Sequence, residues 1–139
     1  KFSTDDISTI LGIANSSCPL RFFFTEFGYG YGSMIGEFGF LISVATSNIK
    51  RSWEYFNAGV KGEKDKLLEM QKELFSISKG LVDAAGDNKI DGAYDKMFCK
   101  ILNKEFPLRL LPPYEGTSDE SFAKYCNFLE KRYPQWLEK

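Results

Sequence analysis

A carboxylate follows a run of aromatic residues early in the sequence. Glu26 comes two residues after Phe22-Phe23-Phe24, a run that predicts a short buried strand. A carboxyl group at the end of a buried strand has a raised pKa, which suits it to proton transfer. A solvated charge is the simpler interpretation of the same residue. Glu26 is therefore a candidate acid or base, and a candidate substrate contact.

A glycine-rich segment follows directly. Residues 28–33 alternate glycine with tyrosine and end on Ser33. The spacing misses the dinucleotide-binding pattern, because Ser33 occupies the place of its third glycine, and no lysine follows at the spacing of a phosphate-binding loop. We predict a flexible turn between a strand and a helix.

Composition excludes several kinds of site. The chain has 139 residues and no histidine, which excludes Ser-His-Asp and Cys-His nucleophilic sites and histidine-based zinc sites within it. The net charge is −1, so the basic excess that nucleic-acid binding needs is missing. Cys18, Cys99 and Cys126 lie too far apart in sequence for a metal knuckle, and they favour free thiols in the cytoplasm. No segment has the length and apolarity of a membrane span or a signal peptide.

The first sixty residues alternate predicted helices and strands. Helical spacing predicts a helix over 7–14, apolar runs predict strands over 20–25 and 40–44, and a short helix is expected within 30–38. Another helix should begin after Ser47 or Asn48 and end near Gly59 or Gly62. This alternation is typical of a parallel α/β architecture, in which chemical groups lie at the strand ends.

The second half is predicted to be helical. Apolar residues spaced by three and four positions predict a helix from about Glu63 to Ala85, and a second helix is expected over 90–102. A capping-box pattern at 117–120 predicts a last helix. The apolar stripe of the first of these helices comprises Leu67, Met70, Leu74, Ile77 and Leu81.

Four segments, in this order, resemble the dihydrodipicolinate synthase / N-acetylneuraminate lyase family. Residues 1–6 resemble its K-x-[ST]-x-x-D motif, and residues 39–49 resemble its G-x-I-S-V-x-x-N strand, with one extra residue between Val44 and Asn48. Residues 58–63 resemble a family loop, and residues 106–113 resemble a later proline-arginine segment. The resemblance implies a partial TIM (β/α)8 barrel at 1–60, followed by a C-terminal all-helical extension at 61–139.

The resemblance also implies a function and its residues. Lys1 stands at the position of the family's Schiff-base lysine, Ile42 and Ser43 should face the pyruvate-derived part of the substrate, and Thr46 should lie nearby. The implied reaction is carbon–carbon bond formation or cleavage on pyruvate or a related 2-oxo acid, as in a class I aldolase or lyase, without metal or organic cofactor. The family assembles as homotetramers. Acidic residues that hold sugar hydroxyls in the sialic-acid lyases are missing after Glu26, which counts against that substrate.

Two alternatives stay open. A 2-keto-3-deoxy sugar acid dehydratase would use the same lysine, and a non-catalytic helical interaction module would leave Lys1 without a chemical role. An intact barrel needs about 250 residues. We therefore expect this chain to be a fragment that is inactive by itself and that associates through accessible apolar residues, namely Phe22, Phe23, Phe24, Leu41 and Ile42.

Overall fold

Helices dominate the chain. The computed structural model describes residue 4 and residues 6–137. In chain order its elements are α1 (Ile7–Ala14), β1 (Phe23–Phe24), α2 (Glu26–Gly32), β2 (Gly39–Phe40), a 3-10 turn (Val44–Ser47), α3 (Ile49–Lys61), α4 (Lys64–Ala85), α5 (Asp91–Leu102), α6 (Asp119–Arg132) and a second 3-10 turn (Pro134–Trp136).

Side-chain caps explain where three of the helices begin. The carboxylate of Asp6 accepts a hydrogen bond from Thr9 N at 2.7 Å at the start of α1. Asn48 caps α3 and Ser118 caps α6 in the same way, each at 3.0 Å. α3 ends at Gly62, whose φ of 68° is a left-handed conformation that glycine adopts without steric cost. The predicted boundaries of these helices are therefore confirmed to within a few residues.

The glycine-rich segment belongs to a helix. We predicted a flexible turn over 28–33, but α2 covers Glu26–Gly32 and that prediction is wrong. The glycines leave room for close packing, because a β-carbon at Gly30 would overlap the side-chain amide of Gln71 on α4. This amide donates a hydrogen bond to Phe27 O at 2.9 Å. Tertiary packing against α4 thus outweighs the low helix propensity of glycine.

The predicted partial TIM barrel is wrong. The described part of the chain is 62% helical when the 3-10 turns are included, and it forms a small helical domain with two strands of two residues each. The strands pair in parallel, with Phe23 opposite Gly39 and Phe24 opposite Phe40. Parallel pairing across a helix agrees with the predicted alternation, but the paired region is far shorter than the apolar runs suggested.

A side chain ends the second strand early. The apolar run predicted a strand over 40–44, yet β2 ends at Phe40 and a 3-10 turn begins at Val44. The main-chain N–H groups of Ser43 and Ala45 donate to the Glu26 carboxylate. Because this carboxylate takes the two N–H groups, the chain leaves the strand after Phe40. Val44 is buried, whereas Leu41 and Ile42 are exposed, so the predicted burial of this run is wrong for those two residues.

One apolar core joins residues from both halves of the chain. The stripe predicted on α4 is confirmed, since all five of its side chains are at most 4% exposed. The same core contains Ile10 of α1, Tyr55 of α3 and Trp136 near the C-terminus. The proposed boundary at residue 60 stays a prediction.

A partly buried carboxylate connects α4 to the C-terminal turn. Glu73 Oε2 accepts hydrogen bonds from Arg51 Nη2 at 2.7 Å and Trp136 Nε1 at 2.8 Å, and its Oε1 accepts one from Gln135 Nε2 at 3.1 Å. The Arg51 guanidinium also lies 5.2 Å from the centroid of the Trp136 ring. Glu73 therefore holds three donors from two other elements.

Replacing Glu73 by alanine should destabilise the protein. We expect Glu73→Ala to lower the free energy of unfolding by about 2 kcal/mol, because hydrogen bonds to charged groups contribute about 1.5–3 kcal/mol and this side chain retains some exposure. Glu69→Ala is the matched control, since Glu69 is exposed on the same helix. Urea denaturation of both variants measures the difference. Equal midpoints for the two variants would contradict the structural role of Glu73.

Candidate functional site

An open cavity lies at the carboxyl ends of the two strands. Its volume is about 490 Å³. Thr25 follows β1 and the segment 41–44 follows β2, so both strand ends contribute to its wall. Residues from both strand ends and from α4 and α5 meet around this cavity, which makes it a candidate site.

Glu26 holds the wall of this cavity from behind. Its Oε1 atom accepts hydrogen bonds from Ser43 N at 2.6 Å and from Ala45 N at 2.9 Å. The residue is 2% exposed, and it is absent from the cavity lining. Burial raises the pKa of the Glu26 carboxyl group, while the two N–H donors oppose that rise. Its chemical environment is therefore that of a buried carboxylate that binds main chain.

The turn after β2 is also fixed from α3. The Ser52 hydroxyl donates to Ala45 O at 2.6 Å and contacts Asn48 O at 2.9 Å. The Tyr55 hydroxyl donates to the main-chain oxygen of Glu26 at 2.7 Å. Together these contacts connect α2, the turn and α3 behind the cavity wall, so the wall is held from two helices.

The opposite wall comes from the helical half of the chain. Ser78 of α4 lines the cavity, and Asp91, Tyr94 and Asp95 of α5 form its polar rim. The Tyr94 hydroxyl donates to Gly86 O at 2.6 Å. The spacing of Asp91 and Asp95 by four positions places them on one helix face, and this was the signal available in the sequence.

The predicted site residues divide between several environments. Ile42 and Ser43 both line the cavity. Their contact with a substrate stays a prediction. Thr46 is half-buried in the 3-10 turn and is absent from the lining, whereas Glu26 lies behind the wall. Lys1 lies outside the described residues.

A second, more apolar cleft lies on the other side of Ile42. Its volume is about 310 Å³, and Ser52 is its one polar side chain. Trp53 and Phe23 contribute to it, and each is 60% exposed. The lining comprises Phe23, Gly39, Phe40, Ile42, Ile49, Ser52, Trp53 and Phe56.

The expected accessibility of the apolar strand residues is met in part. Phe23, Leu41 and Ile42 are exposed, and Phe22 is half-buried. Phe24 is 7% exposed, because its ring packs edge-on against another phenylalanine of the same sheet region, Phe38, at 4.8 Å between centroids.

Two further searches concern metals and membranes. Across residue 4 and residues 6–137, no three histidine, cysteine, aspartate or glutamate side chains come together as a metal-binding group. Among the helices of this same part of the chain, none combines the length and apolarity that crossing a bilayer requires.

Comparisons with known proteins identify no relative of this chain. No protein-family model, no curated protein and no solved structure matches this chain. The resemblance to the dihydrodipicolinate synthase / N-acetylneuraminate lyase family therefore stays a hypothesis that depends on the sequence motifs.

Proposed function

We propose that the protein carries part of the site of a Schiff-base lyase that acts on pyruvate or a related 2-oxo acid. The observation that supports this proposal is the cavity at the carboxyl ends of β1 and β2, whose wall contains Ile42 and Ser43. These are two of the residues that the motif resemblance assigns to the substrate. The proposal needs this local arrangement and the lysine, and it does not assume the barrel.

The chemistry requires a neutral amine near a surface that offers both apolar and polar side chains to the substrate. The Lys1 amine attacks the ketone carbon of the 2-oxo acid, and loss of water leaves an imine. A lysine in water has a pKa of about 10.4, so desolvation must lower this value to free the nucleophile. The protonated imine withdraws electrons from the neighbouring carbon, and a carbon–carbon bond is made or broken there. No metal or organic cofactor takes part in these steps.

The residues of the cavity wall would have separate roles. Ile42 presents an apolar surface to the methyl or methylene group of the substrate. The Ser43 hydroxyl is a donor for the substrate carboxylate. A 2-keto-3-deoxy sugar acid dehydratase would use the same lysine and wall, and it stays an alternative within this proposal.

The proposal includes a cytoplasmic location and a homo-oligomeric, tetrameric state. All three cysteines are free, which supports a reducing compartment. The exposed apolar side chains at Phe23, Leu41 and Trp53 supply surface that assembly would cover.

Borohydride trapping tests the proposed chemistry. The protein is incubated with pyruvate and sodium borohydride, which reduces the imine to a stable secondary amine. We expect peptide mass spectrometry to find the reduced pyruvate adduct on Nζ of Lys1, and to find none in Lys1→Arg. Fragment ions must separate Nζ from a main-chain amine, which also forms imines.

Lys64→Arg is the control, because Lys64 is an exposed lysine at the start of α4. The adduct at Lys1 should be unchanged in this variant. An adduct spread evenly over exposed lysines, or no adduct in the longest natural form of the protein, would overturn the lyase proposal.

A non-catalytic interaction module is the second candidate function. The apolar cleft between β2 and α3 favours it, because Trp53 and Phe23 are large, exposed and close together there. Trapping separates the two candidates, since an interaction module forms no preferred adduct at Lys1.

A further inference from the structure

We propose that Glu26 is a positioning residue that acts as a latch on the strand-end cavity: its ionised carboxylate holds the main chain of Ser43 and Ala45, and its protonation loosens the cavity wall. This inference deepens the proposed function, and the part of its test that uses pyruvate rests on that function. The latch itself concerns only contacts within the chain.

The geometry gives one carboxylate oxygen control over two main-chain groups. Ser43 N and Ala45 N both donate to Glu26 Oε1, at 2.6 and 2.9 Å. Ser43 has φ −130° and ψ −89°, which belongs to neither strand nor helix. The carboxylate thus takes the two N–H groups that a regular element would have paired. Ile42, Ser43 and Val44 line the cavity directly, so their placement follows that of these two donors.

The N–H groups of Ser43 and Ala45 are the main groups that stabilise the buried negative charge of Glu26. The Tyr55 hydroxyl of α3 faces the main-chain oxygen of Glu26, and Tyr29 and Tyr31 lie near Tyr55 on the α2 side. From α4, the Gln71 amide binds the neighbouring Phe27 O. No ion pair of the described residues includes Glu26.

Protonation changes the strength of this contact. Hydrogen bonds to an ionised acceptor are roughly twice as strong as those to a neutral one. Burial raises the pKa of Glu26, so its carboxylate becomes protonated at a pH above the ordinary pKa of a glutamate. As pH falls through that raised pKa, the carboxyl group becomes neutral and its hold on Ser43 and Ala45 weakens. The two donors lower the pKa of Glu26 while burial raises it, so protonation weakens these two contacts as long as the carboxyl group stays buried. The turn is therefore held more tightly above the pKa than below it.

Amide NMR of the whole chain tests the latch without any substrate. We expect the Ser43 and Ala45 amide signals to titrate together, with one midpoint above the ordinary glutamate value. In Glu26→Gln the side-chain oxygen still accepts both hydrogen bonds, so these signals should persist and no longer titrate. In Glu26→Ala we expect hydrogen-exchange protection of the two amides to fall by about tenfold or more, as for loss of a hydrogen bond to a charged group.

Glu37→Gln is the matched control, because Glu37 is an exposed glutamate between α2 and β2. It should leave the titration of both amides unchanged. Amides that do not titrate in the wild type, or that titrate equally in Glu26→Gln, would overturn the latch. Glu26→Gln preserves this test if Glu26→Ala does not fold.

A second experiment repeats the pyruvate trapping across the pH range of the NMR titration. We expect adduct formation to fall with pH in both proteins, because the Lys1 amine becomes protonated. The wild type should show an additional fall through the amide midpoint, and Glu26→Gln should lack this additional fall. If the amides titrate but no adduct forms at any pH, the proposed function fails and the latch stands. If an adduct forms but the amides do not titrate, the latch fails and the proposed function stands.

Discussion

Trp136→Ala should lower the free energy of unfolding by about 3–5 kcal/mol, the range for removing a large aromatic side chain from a core. Trp136 is 0% exposed. Its ring fills the core beside α4, and its Nε1 atom donates to Glu73 Oε2. The substitution therefore leaves a cavity and also removes one of the hydrogen-bond donors of a partly buried carboxylate. Urea denaturation followed by circular dichroism measures the loss.

The chain provides its own control for this experiment. Trp53 is the only other tryptophan, and it is 60% exposed on α3. We expect Trp53→Ala to change stability by less than about 1 kcal/mol, as is usual for surface positions. This variant also leaves Trp136 as the one tryptophan, so its fluorescence reports the core alone. Equal destabilisation by the two substitutions would mean that Trp136 is not buried as described.

Leu74→Ala should have the second largest effect, with a loss of about 2–5 kcal/mol. Leu74 is 0% exposed at the centre of the α4 stripe. α4 packs against α2, α3 and α6, so a cavity at this point removes contacts with several elements at once. Thermal and urea denaturation should both show the loss.

Leu68→Ala is the matched control, because it makes the same change on the same helix at a side chain that is 39% exposed. We expect a much smaller loss there. Pyruvate trapping adds a second readout: at temperatures where Leu74→Ala stays folded, the adduct at Lys1 should still form. A stable, folded Leu74→Ala variant that forms no adduct would give α4 a chemical role beyond lining the cavity.

The proposed lyase and the Glu26 latch make different demands on the molecule. The lyase needs a reactive amine at Lys1, and the latch needs only the contact between Glu26 and the turn after β2. Glu26 was expected to touch substrate. Its position behind the wall changes that expectation, because a group that binds two main-chain N–H groups controls the shape of a site without entering it.

Local signals in the sequence were sufficient for α1, α3, α4, α5 and α6, but not for the glycine-rich α2. Asp6, Asn48 and Ser118 start helices because their short polar side chains can bind the free N–H groups of the first turn. Gly62 ends α3 because the left-handed conformation costs it little. The stripe on α4 was equally readable, since a spacing of three and four positions places apolar side chains on one face. These features depend on neighbours within a few residues.

The sequence by itself determined the order and approximate extent of the helices other than α2, the buried face of α4 and the free state of three scattered cysteines. Only the tertiary structure decided the fate of the apolar runs at 20–25 and 40–44. Leu20, Phe23 and Leu41 are exposed, so these apolar runs did not report burial. An apolar run also does not state whether main-chain N–H groups pair with a strand or with a side chain. Here Glu26, seventeen positions before Ser43, takes two of those groups. A contact over that distance leaves no periodic signal, so the apolar run at 40–44 was interpreted as a strand. The barrel was expected from the motif resemblance, and a helical domain with a cavity at its two strand ends is found.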